Sequence, residues 1–94
     1  MSWFVYLIEC VDGSIYTGIS TDVAARYAAH MAGKGARYTR AHPPARLMAV
    51  FAHPDRSSAT KAEYRIKQLS ASEKVALCAQ QENRGQSALS RRLV

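Results

Sequence analysis

The length of the chain, 94 residues, allows one small domain, which buries only about 60 to 65% of its unfolded surface and must carry any site near that surface. Hydrophobic residues make up 48% and charged residues 21%, so a wholly disordered protein is excluded. The formal net charge of +6 favours polyanionic partners such as nucleic acid.

The sequence also indicates a compartment. The N-terminus lacks the pattern of a secretion signal, and no apolar stretch reaches the roughly 18 residues of a membrane span. Cys10 and Cys78 lie in apolar surroundings, without the paired spacing of a metal site. We therefore expect a cytoplasmic protein with no membrane partner, in which both cysteines are buried, reduced thiols with no disulfide partner.

Two strands are predicted at the start of the chain. The dense apolar and β-branched run Trp3–Val11 predicts the first, and Ile15–Ser20 predicts the second. Asp12-Gly13 between them is typical of a tight turn, so the two strands form a hairpin.

The register of this hairpin is open. A two-residue loop would place the side chains of Tyr6 and Tyr16 on opposite faces of the sheet. A three-residue loop, with Gly13 in the left-handed conformation, would pair Cys10 with Ser14 and place both phenols on one face. Only the second register lets both tyrosines serve one site, and the sequence permits either.

A helix from about Asp22 to Ala32 follows the hairpin, and Gly33 ends it. Arg26 and His30 lie one turn apart, which stacks a guanidinium and an imidazole on one stripe of the helix. An apolar stripe beside them consists of Val23, Tyr27 and Met31. A tyrosine at the end of the preceding strand therefore faces two cationic or protonatable groups.

Residues 33–46 are predicted to be a flexible basic loop, which Pro43-Pro44 ends. Two interpretations stay open. Either the loop is simply solvated, or it grips a nucleic-acid backbone, with glycine amides close to the phosphates and cationic side chains neutralising them. In the second interpretation the nucleic-acid-binding residues are Lys34, Arg37, Tyr38, Thr39 and Arg40.

A third strand, Leu47–His53, precedes a second helix that runs to about Leu69. Glu63 lies beside the apolar stripe of this helix. The simplest explanation for its carboxylate is an ion pair with Lys67 one turn later, which contributes about 0.2–0.5 kcal/mol. The candidate N-caps of the helix are Ser57 and Ser58.

The last predicted element is a short third helix. Ser70 and Glu73 have the spacing of a capping box and begin a helix to about Gln80. Beyond it the chain is polar and basic. We therefore divide the chain into a domain over residues 1–80 and a flexible basic tail over residues 81–94.

Residues 4–77 resemble the GIY-YIG nuclease family. Its first tripeptide would be Phe4-Val5-Tyr6, in which only the tyrosine remains, and its second would be Tyr16-Thr17-Gly18. The ordered set that follows carries the resemblance: Arg26 ten residues after Tyr16, His30 one turn later, and a helical Glu63 after a third strand. The runs Gly33–Thr39 and Leu69–Lys74 are similar to the small single-domain bacterial branch of this family.

The resemblance implies a metal-dependent endonuclease that hydrolyses DNA phosphodiester bonds in DNA repair or processing, with RNA an open alternative substrate. Glu63 would hold one divalent ion, Mg²⁺ or Mn²⁺, and Arg26 would bind the phosphate and stabilise the transition state. Tyr6 or Tyr16 would handle the attacking water if Arg26 and the metal lowered the phenol pKa from about 10. His30 is the competing base, because an unperturbed imidazole pKa is about 6.5.

The fold implied is α/β in the broad α+β sense: a small three-stranded, mainly antiparallel sheet flanked by helices in the order ββαβαα. Two positions depart from the family pattern. Ile19 stands where several family nucleases carry a lysine, and the only asparagine, Asn83, lies in the predicted tail. The alternative function is a nucleic-acid-binding module with this scaffold and little or no cleavage. A purely structural domain would leave the combination of Tyr6, Tyr16, Arg26, His30 and Glu63 unexplained.

Overall fold

The computed structural model describes residues 2–81, which form three strands and four helices. The strands are β1 (Trp3–Cys10), β2 (Ile15–Ser20) and β3 (Pro44–His53). The helices are α1 (Val23–Met31), α2 (Arg37–Ala41) and α3 (Arg56–Lys67), followed by α4 over residues 71–81. This architecture confirms the predicted α+β fold in the order ββαβαα, with α2 as one additional helix.

The three strands form one antiparallel sheet in the order β2-β1-β3. In the hairpin, Tyr6 lies opposite Gly18. The backbone N–H of Cys10 donates to the carbonyl of Ser14 over 2.8 Å, and Gly13 has a φ of 85°, which favours glycine. The loop is therefore the three-residue one, and the register that places both phenols on one face is confirmed.

β3 is longer than predicted. It begins at Pro44 rather than Leu47, which is compatible with the sheet because β3 is an edge strand and proline has no N–H to pair. The pairing with β1 skips Met48, which bulges out of the regular ladder. Because of this bulge, Met48 and Ala49 are consecutive in sequence yet both enter the same apolar core.

The two faces of the sheet bury different side chains. The first, which we call the apolar face, packs against α3 and α4 through Val5, Leu7, Met48, Ala49, Ala59 and Cys78. The second, which we call the tyrosine face, buries Tyr6, Ile8 and Cys10, with Tyr16, Val23, Tyr27, Leu47 and Val50 packed beside them.

α1 begins and ends as predicted, and Val23 and Tyr27 of its predicted apolar stripe pack on the tyrosine face, but Met31 does not. The carboxylate of Asp22 accepts a hydrogen bond from the third residue of the helix over 3.0 Å, and Gly33 has a φ of 74° after the C-cap. The predicted apolar stripe included Met31, which is 55% exposed, whereas His30 is 1% exposed. A histidine takes the buried position because both ring nitrogens find partners there.

α3 also begins earlier than predicted. Its N-cap is Asp55, which accepts from the backbone N–H of Ser58 over 2.8 Å, so neither Ser57 nor Ser58 is the cap. At the start of α4, Ser70 and Glu73 form the predicted capping box, because each accepts from the backbone N–H of the other.

The prediction of a flexible loop over residues 33–46 is wrong for its central part, which forms α2. A five-residue helix is unstable alone, and glycines and prolines flank this one. Tertiary contacts stabilise it, because Thr39 is 2% exposed and its hydroxyl is hydrogen-bonded to the ring of His30.

The remaining expectations concern thiols, membranes and the tail. Cys10 and Cys78 are buried, no disulfide joins them within residues 2–81, and burial raises the pKa of the Cys10 thiol. In the same part of the chain, no helix is long and apolar enough to cross a membrane. Residue 81 belongs to α4, and the rest of the predicted tail lies outside the described residues.

Candidate active site

Tyr6, Tyr16 and His30 form a compact cluster on the tyrosine face. The ring centroids lie 6.3 Å apart for the two phenols, 5.9 Å for Tyr6 and His30, and 5.0 Å for Tyr16 and His30. β1, β2 and α1 contribute one ring each. The hairpin register and the inward position of His30 thus bring together three of the five residues predicted to be catalytic.

A series of hydrogen bonds leaves this cluster. The hydroxyl of Tyr6 lies 3.0 Å from Nε2 of His30, and Nδ1 of His30 lies 2.6 Å from Oγ1 of Thr39. The Thr39 hydroxyl in turn donates to the carbonyl of Ala36 over 3.0 Å. The series therefore runs from β1 through α1 to α2.

The partners fix the tautomer of His30. A threonine hydroxyl has one proton, and that of Thr39 is given to the Ala36 carbonyl. Thr39 can then only accept from His30, so Nδ1 carries the imidazole proton and Nε2 is a free acceptor for the Tyr6 hydroxyl. All three hydrogen bonds therefore donate in the same direction, from the Tyr6 hydroxyl towards the carbonyl of Ala36.

Two glycines make room for the rings. A Cβ on Gly18 would lie 2.6 Å from the Tyr6 hydroxyl oxygen, and a Cβ on Gly35 would overlap the imidazole of His30. Gly18 is the last residue of the second family tripeptide, so a close approach of the Tyr6 phenol explains it. Gly35 plays the matching part on the segment between α1 and α2.

Burial changes the acidity of the first ring in the series. It raises the pKa of Tyr6 from 10.0 to about 12, with a further contribution from neighbouring Tyr16, and the opposing effect of Arg26 is smaller. The expectation that Arg26 lowers this pKa below the ordinary phenol value is therefore not met by the protein groups alone. Tyr6 is protonated at neutral pH.

Burial also acts on His30, in the opposite direction. Loss of hydration lowers its pKa from 6.5, and the positive charge of Arg26 adds to the effect. Arg26 is half-buried on α1 and interacts with the Tyr6 phenol, so the guanidinium lies beside the series. At neutral pH the imidazole of His30 and the phenol of Tyr6 are therefore both neutral.

Glu63 lies on α3, half-buried, with 20% of its side chain exposed. Its carboxylate pairs with Lys67 over 3.4 Å, which is the i, i+4 contact that the sequence suggested. Lys67 also lines a pocket together with Tyr16. The ion pair with Lys67 therefore connects Glu63 to this pocket beside the tyrosine cluster. Within residues 2–81, no group of three or more His, Cys, Asp or Glu side chains could hold a metal ion.

The residues predicted to bind nucleic acid divide into two groups. Lys34, Arg37 and Arg40 are exposed, and Tyr38 is 39% exposed. Thr39, also predicted to bind nucleic acid, is buried, and its side chain contacts His30. α2 thus presents cations outwards and a positioning hydroxyl inwards.

Sequence reasoning missed a second contact between the hairpin and α2. Nδ1 of His42 lies 2.5 Å from the carboxylate of Asp12, and the His42 ring stacks on Tyr38 with centroids 4.3 Å apart. Hydrogen bonds from Ser14 first, and then from His42, lower the pKa of Asp12. The available signal was the i, i+4 spacing of Tyr38 and His42. This spacing brings two side chains together only on a helix, and the sequence predicted a loop there.

Comparison with known proteins gives matches over most of the chain. The profile of the GIY-YIG catalytic domain matches residues 2–76. A UPF0213 protein of Cupriavidus pinatubonensis is 54% identical over 80 residues, which cover 85% of this chain and 89% of that protein. A UPF0213 protein of Halobacterium salinarum is 52% identical over 73 residues, covering 78% and 95%.

Two solved structures have the same fold. The solution NMR structure of a UPF0213 protein from Bacillus halodurans superposes with a TM-score of 0.53 at 47% identity, covering 84% of each chain. That of an E. faecalis protein gives a TM-score of 0.60 at 33% identity, covering 87% of this chain and 88% of that one.

Proposed function

The chain belongs to the family of the GIY-YIG catalytic domain, and from this premise we propose that it is an endonuclease that hydrolyses DNA phosphodiester bonds with one divalent metal ion. The observation that carries the proposal is the directed series from Tyr6 through His30 to Thr39, beside Arg26. Burying three polar side chains in so small a core destabilises the fold unless each finds a partner, and here the partners fix the orientation of the Tyr6 hydroxyl and the His30 ring. The proposal includes a role in DNA repair or processing.

The series supports a path for the proton of the attacking water. Tyr6 would accept that proton at its hydroxyl oxygen while its own proton passes to Nε2 of His30. The products of this step are a neutral phenol and an imidazolium whose Nδ1–H still donates to Thr39. No phenolate is needed, which suits a tyrosine whose pKa is raised to about 12.

Arg26 would bind the scissile phosphate. Its planar guanidinium can donate to two non-bridging oxygens and neutralise the charge that grows on them in the transition state. Its position beside Tyr6 would hold the phosphorus near the hydroxyl that handles the water.

Glu63 would hold the metal ion. A single, partly exposed carboxylate suits Mg²⁺, or Mn²⁺ in its place, because Mg²⁺ keeps most of its own waters. When bound, the ion supplies positive charge that polarises the phosphate. The ammonium of Lys67 occupies this carboxylate in the structure, so metal binding would have to displace it.

The exposed cations of the segment after α1 would hold the DNA backbone. Lys34, Arg37 and Arg40 lie on one short stretch around α2, whose inner side is anchored to His30 through Thr39. Replacing any one of them should weaken binding about equally for unrelated sequences and lower the salt slope by about one. A change in sequence preference at constant salt slope would contradict this role.

The Glu63–Lys67 ion pair favours a second candidate function. If this pair is the only task of Glu63, the protein is a nucleic-acid-binding module that keeps the scaffold with little or no cleavage. The two candidates differ in whether a divalent metal acts through Glu63.

A metal titration of cleavage separates them. The wild-type chain is assayed on nicked, branched and single-stranded DNA with increasing Mg²⁺ or Mn²⁺, next to Arg26→Ala and Glu63→Gln. We expect each variant to lose at least about a hundredfold in rate, roughly 3 kcal/mol of transition-state stabilisation, with little change in folding. Glu63→Gln should also abolish the metal dependence. Arg65→Ala, an exposed arginine on α3, is the control.

The base is tested with ring variants. Tyr6→Phe should lose most of the rate and keep its DNA affinity, whereas Tyr16→Phe should lose less if the proton leaves through Tyr6. Normal cleavage by both, together with an inactive His30→Ala, would make the imidazole the base. A wild-type chain that binds DNA but never cuts it at any metal concentration would leave the binding module as the function.

A further inference from the structure

A pocket of about 400 Å³ lies beside the tyrosine cluster, a size typical of small-molecule sites. It is lined by Ile15, Tyr16, Thr17, Tyr38, Lys67 and Lys74. Three consecutive residues of β2 take part, and consecutive side chains of a strand point to opposite faces. The pocket therefore wraps around the outer edge of β2, which is an edge strand of the sheet.

We propose that this pocket binds one unpaired nucleotide of the substrate strand, with its base against the exposed part of the Tyr38 ring and its phosphate between the two lysines. The proposal rests on the proposed nuclease function and deepens it, because it makes the enzyme selective for strands that contain a nucleotide outside a duplex.

The aromatic wall is suited to a base. The rings of Tyr16 and Tyr38 are stacked, 28° from parallel with centroids 6.0 Å apart, and Tyr38 stacks in turn on His42. Tyr38 keeps 39% of its surface exposed. A base inside a duplex has both of its faces covered by its neighbours, so only an unpaired or extruded base can stack on such a ring.

Two lysines form the cationic part of the lining. Lys67 comes from α3 and Lys74 from α4, so two separate helices bring ammonium groups to one pocket, and no acidic residue within residues 2–81 lines it. Lys67 shares its charge with Glu63, whereas Lys74 has no ion pair among the described residues. Two lysines and a ring match the backbone-plus-stacking mode by which proteins bind single strands.

A polar atom of the pocket lining is left without a partner. Thr17 is 2% exposed and lines the pocket, and its Oγ1 is buried with no hydrogen-bond partner within residues 2–81. An unpaired buried hydroxyl destabilises a fold, so its retention beside the pocket points to a partner supplied by a ligand. The sugar or an exocyclic group of the nucleotide can provide that partner.

The test measures binding of the full chain without metal. A short single-stranded deoxyoligonucleotide, a ribo-oligonucleotide of the same sequence and a blunt duplex are titrated, with chelator present so that nothing is cut. Tyr38→Leu should weaken single-strand binding by about fivefold or more, and Tyr38→Phe should not, because base stacking needs only the ring. Lys74→Gln should lower the single-strand salt slope by about 0.7.

Matched controls come from the exposed side of α3. Tyr64→Leu and Lys61→Gln remove the same groups outside the pocket and should leave single-strand binding unchanged. Duplex binding should be the same for Lys74→Gln and the wild type. The ribose and deoxyribose arms show whether Thr17 meets a 2′-hydroxyl, since Thr17→Val would then weaken only ribo-oligonucleotide binding.

Thr17→Val separates a ligand role from a defect of packing. It keeps the shape and removes the unpaired hydroxyl, so we expect weaker nucleotide binding and equal or higher stability. If pocket and control variants bind single strands alike while wild type cuts DNA, the pocket proposal is overturned and the nuclease stands. If the pocket variants lose single-strand binding but wild type never cuts, the pocket stands and the nuclease falls.

Discussion

The two faces of the central sheet stabilise the same three strands by different interactions. On the apolar face, Val5 and Leu7 are fully buried against apolar side chains of β3, α3 and α4. On the tyrosine face, Tyr6, His30 and Thr39 are equally buried, but each is held by a hydrogen bond to the next. The side chains are buried to the same extent on both faces, but only those on the tyrosine face are held by directional interactions.

This difference teaches where chemistry can be built in a chain of 94 residues. Apolar contacts are non-directional, so the apolar face supplies stability and tolerates changes that keep its volume. A hydrogen bond is lost when its donor is turned away, so the tyrosine face fixes one tautomer and one ring position. Substitutions on the apolar face should therefore change mainly the free energy of unfolding, and those on the tyrosine face should change the tautomer and the ring position of His30.

The largest expected effect is on the apolar face. Leu7→Ala should lower the free energy of unfolding by about 2–5 kcal/mol, because it leaves a cavity at a fully buried position. Urea denaturation measures it, and Val11→Ala, at a position 67% exposed, should change stability by less than about 0.5 kcal/mol. Folded Leu7→Ala protein should keep the Nδ1–H tautomer of His30. A changed tautomer would contradict the independence of the two faces.

A smaller loss is expected from Thr39→Val on the tyrosine face. It removes the partner of the His30 Nδ1–H and leaves a buried donor unpaired, which costs about 1–3 kcal/mol. The decisive measurement is the ¹⁵N NMR of His30, where we expect a mixture of tautomers in place of the Nδ1–H form. Thr39→Ser should restore one tautomer, and Thr60→Val on the exposed side of α3 is the matched control. A single, unchanged tautomer in Thr39→Val would refute the positioning role.

The third prediction concerns pH. The pKa of His30 is lower in the folded chain than its ordinary value of 6.5, so below that pH the unfolded chain binds more protons than the folded one. Stability should therefore fall as the pH drops from about 6.5, by up to about 1.4 kcal/mol per pH unit, until the folded pKa is passed. His30→Asn, which does not titrate, should lack this part of the slope, and subtracting the two curves removes other groups. Equal slopes would contradict the shift.

The smallest effect on stability is expected where α3 approaches the site. Lys67→Ala removes the ion pair with Glu63 and should change the free energy of unfolding by only about 0.2–0.5 kcal/mol. It should nevertheless tighten Mn²⁺ binding, measured by electron paramagnetic resonance, because the carboxylate no longer has a competing cation. Lys61→Ala on the same helix is the control. Unchanged or weaker Mn²⁺ binding would count against Glu63 as the metal ligand.

Local patterns in the sequence were sufficient for the strands, three of the helices and most of the site. The hairpin, the capping box of Ser70 and Glu73, and the one-turn spacing of Arg26 and His30 are set by neighbouring residues, so they could be predicted. Both registers of the hairpin are compatible with the local turn and strand signals, so the sequence alone could not decide between them. Packing of Tyr6 over Gly18 accompanies the register that the structure adopts.

What only the tertiary structure decided depends on partners distant in sequence. α2 is stabilised because Thr39 is buried against His30. His30 lies outside this five-residue helix, so the residues of α2 do not predict the helix by themselves. The same contact makes Thr39, which was predicted to bind nucleic acid, the acceptor that sets a tautomer, and burial outweighs the lowering effect of Arg26 on the pKa of Tyr6. Propensity and spacing are properties of nearby residues, whereas desolvation and hydrogen-bond direction are set by whatever the fold packs around a group. The sequence therefore predicted which residues belong to the candidate site, and the tertiary structure decided their protonation and their partners.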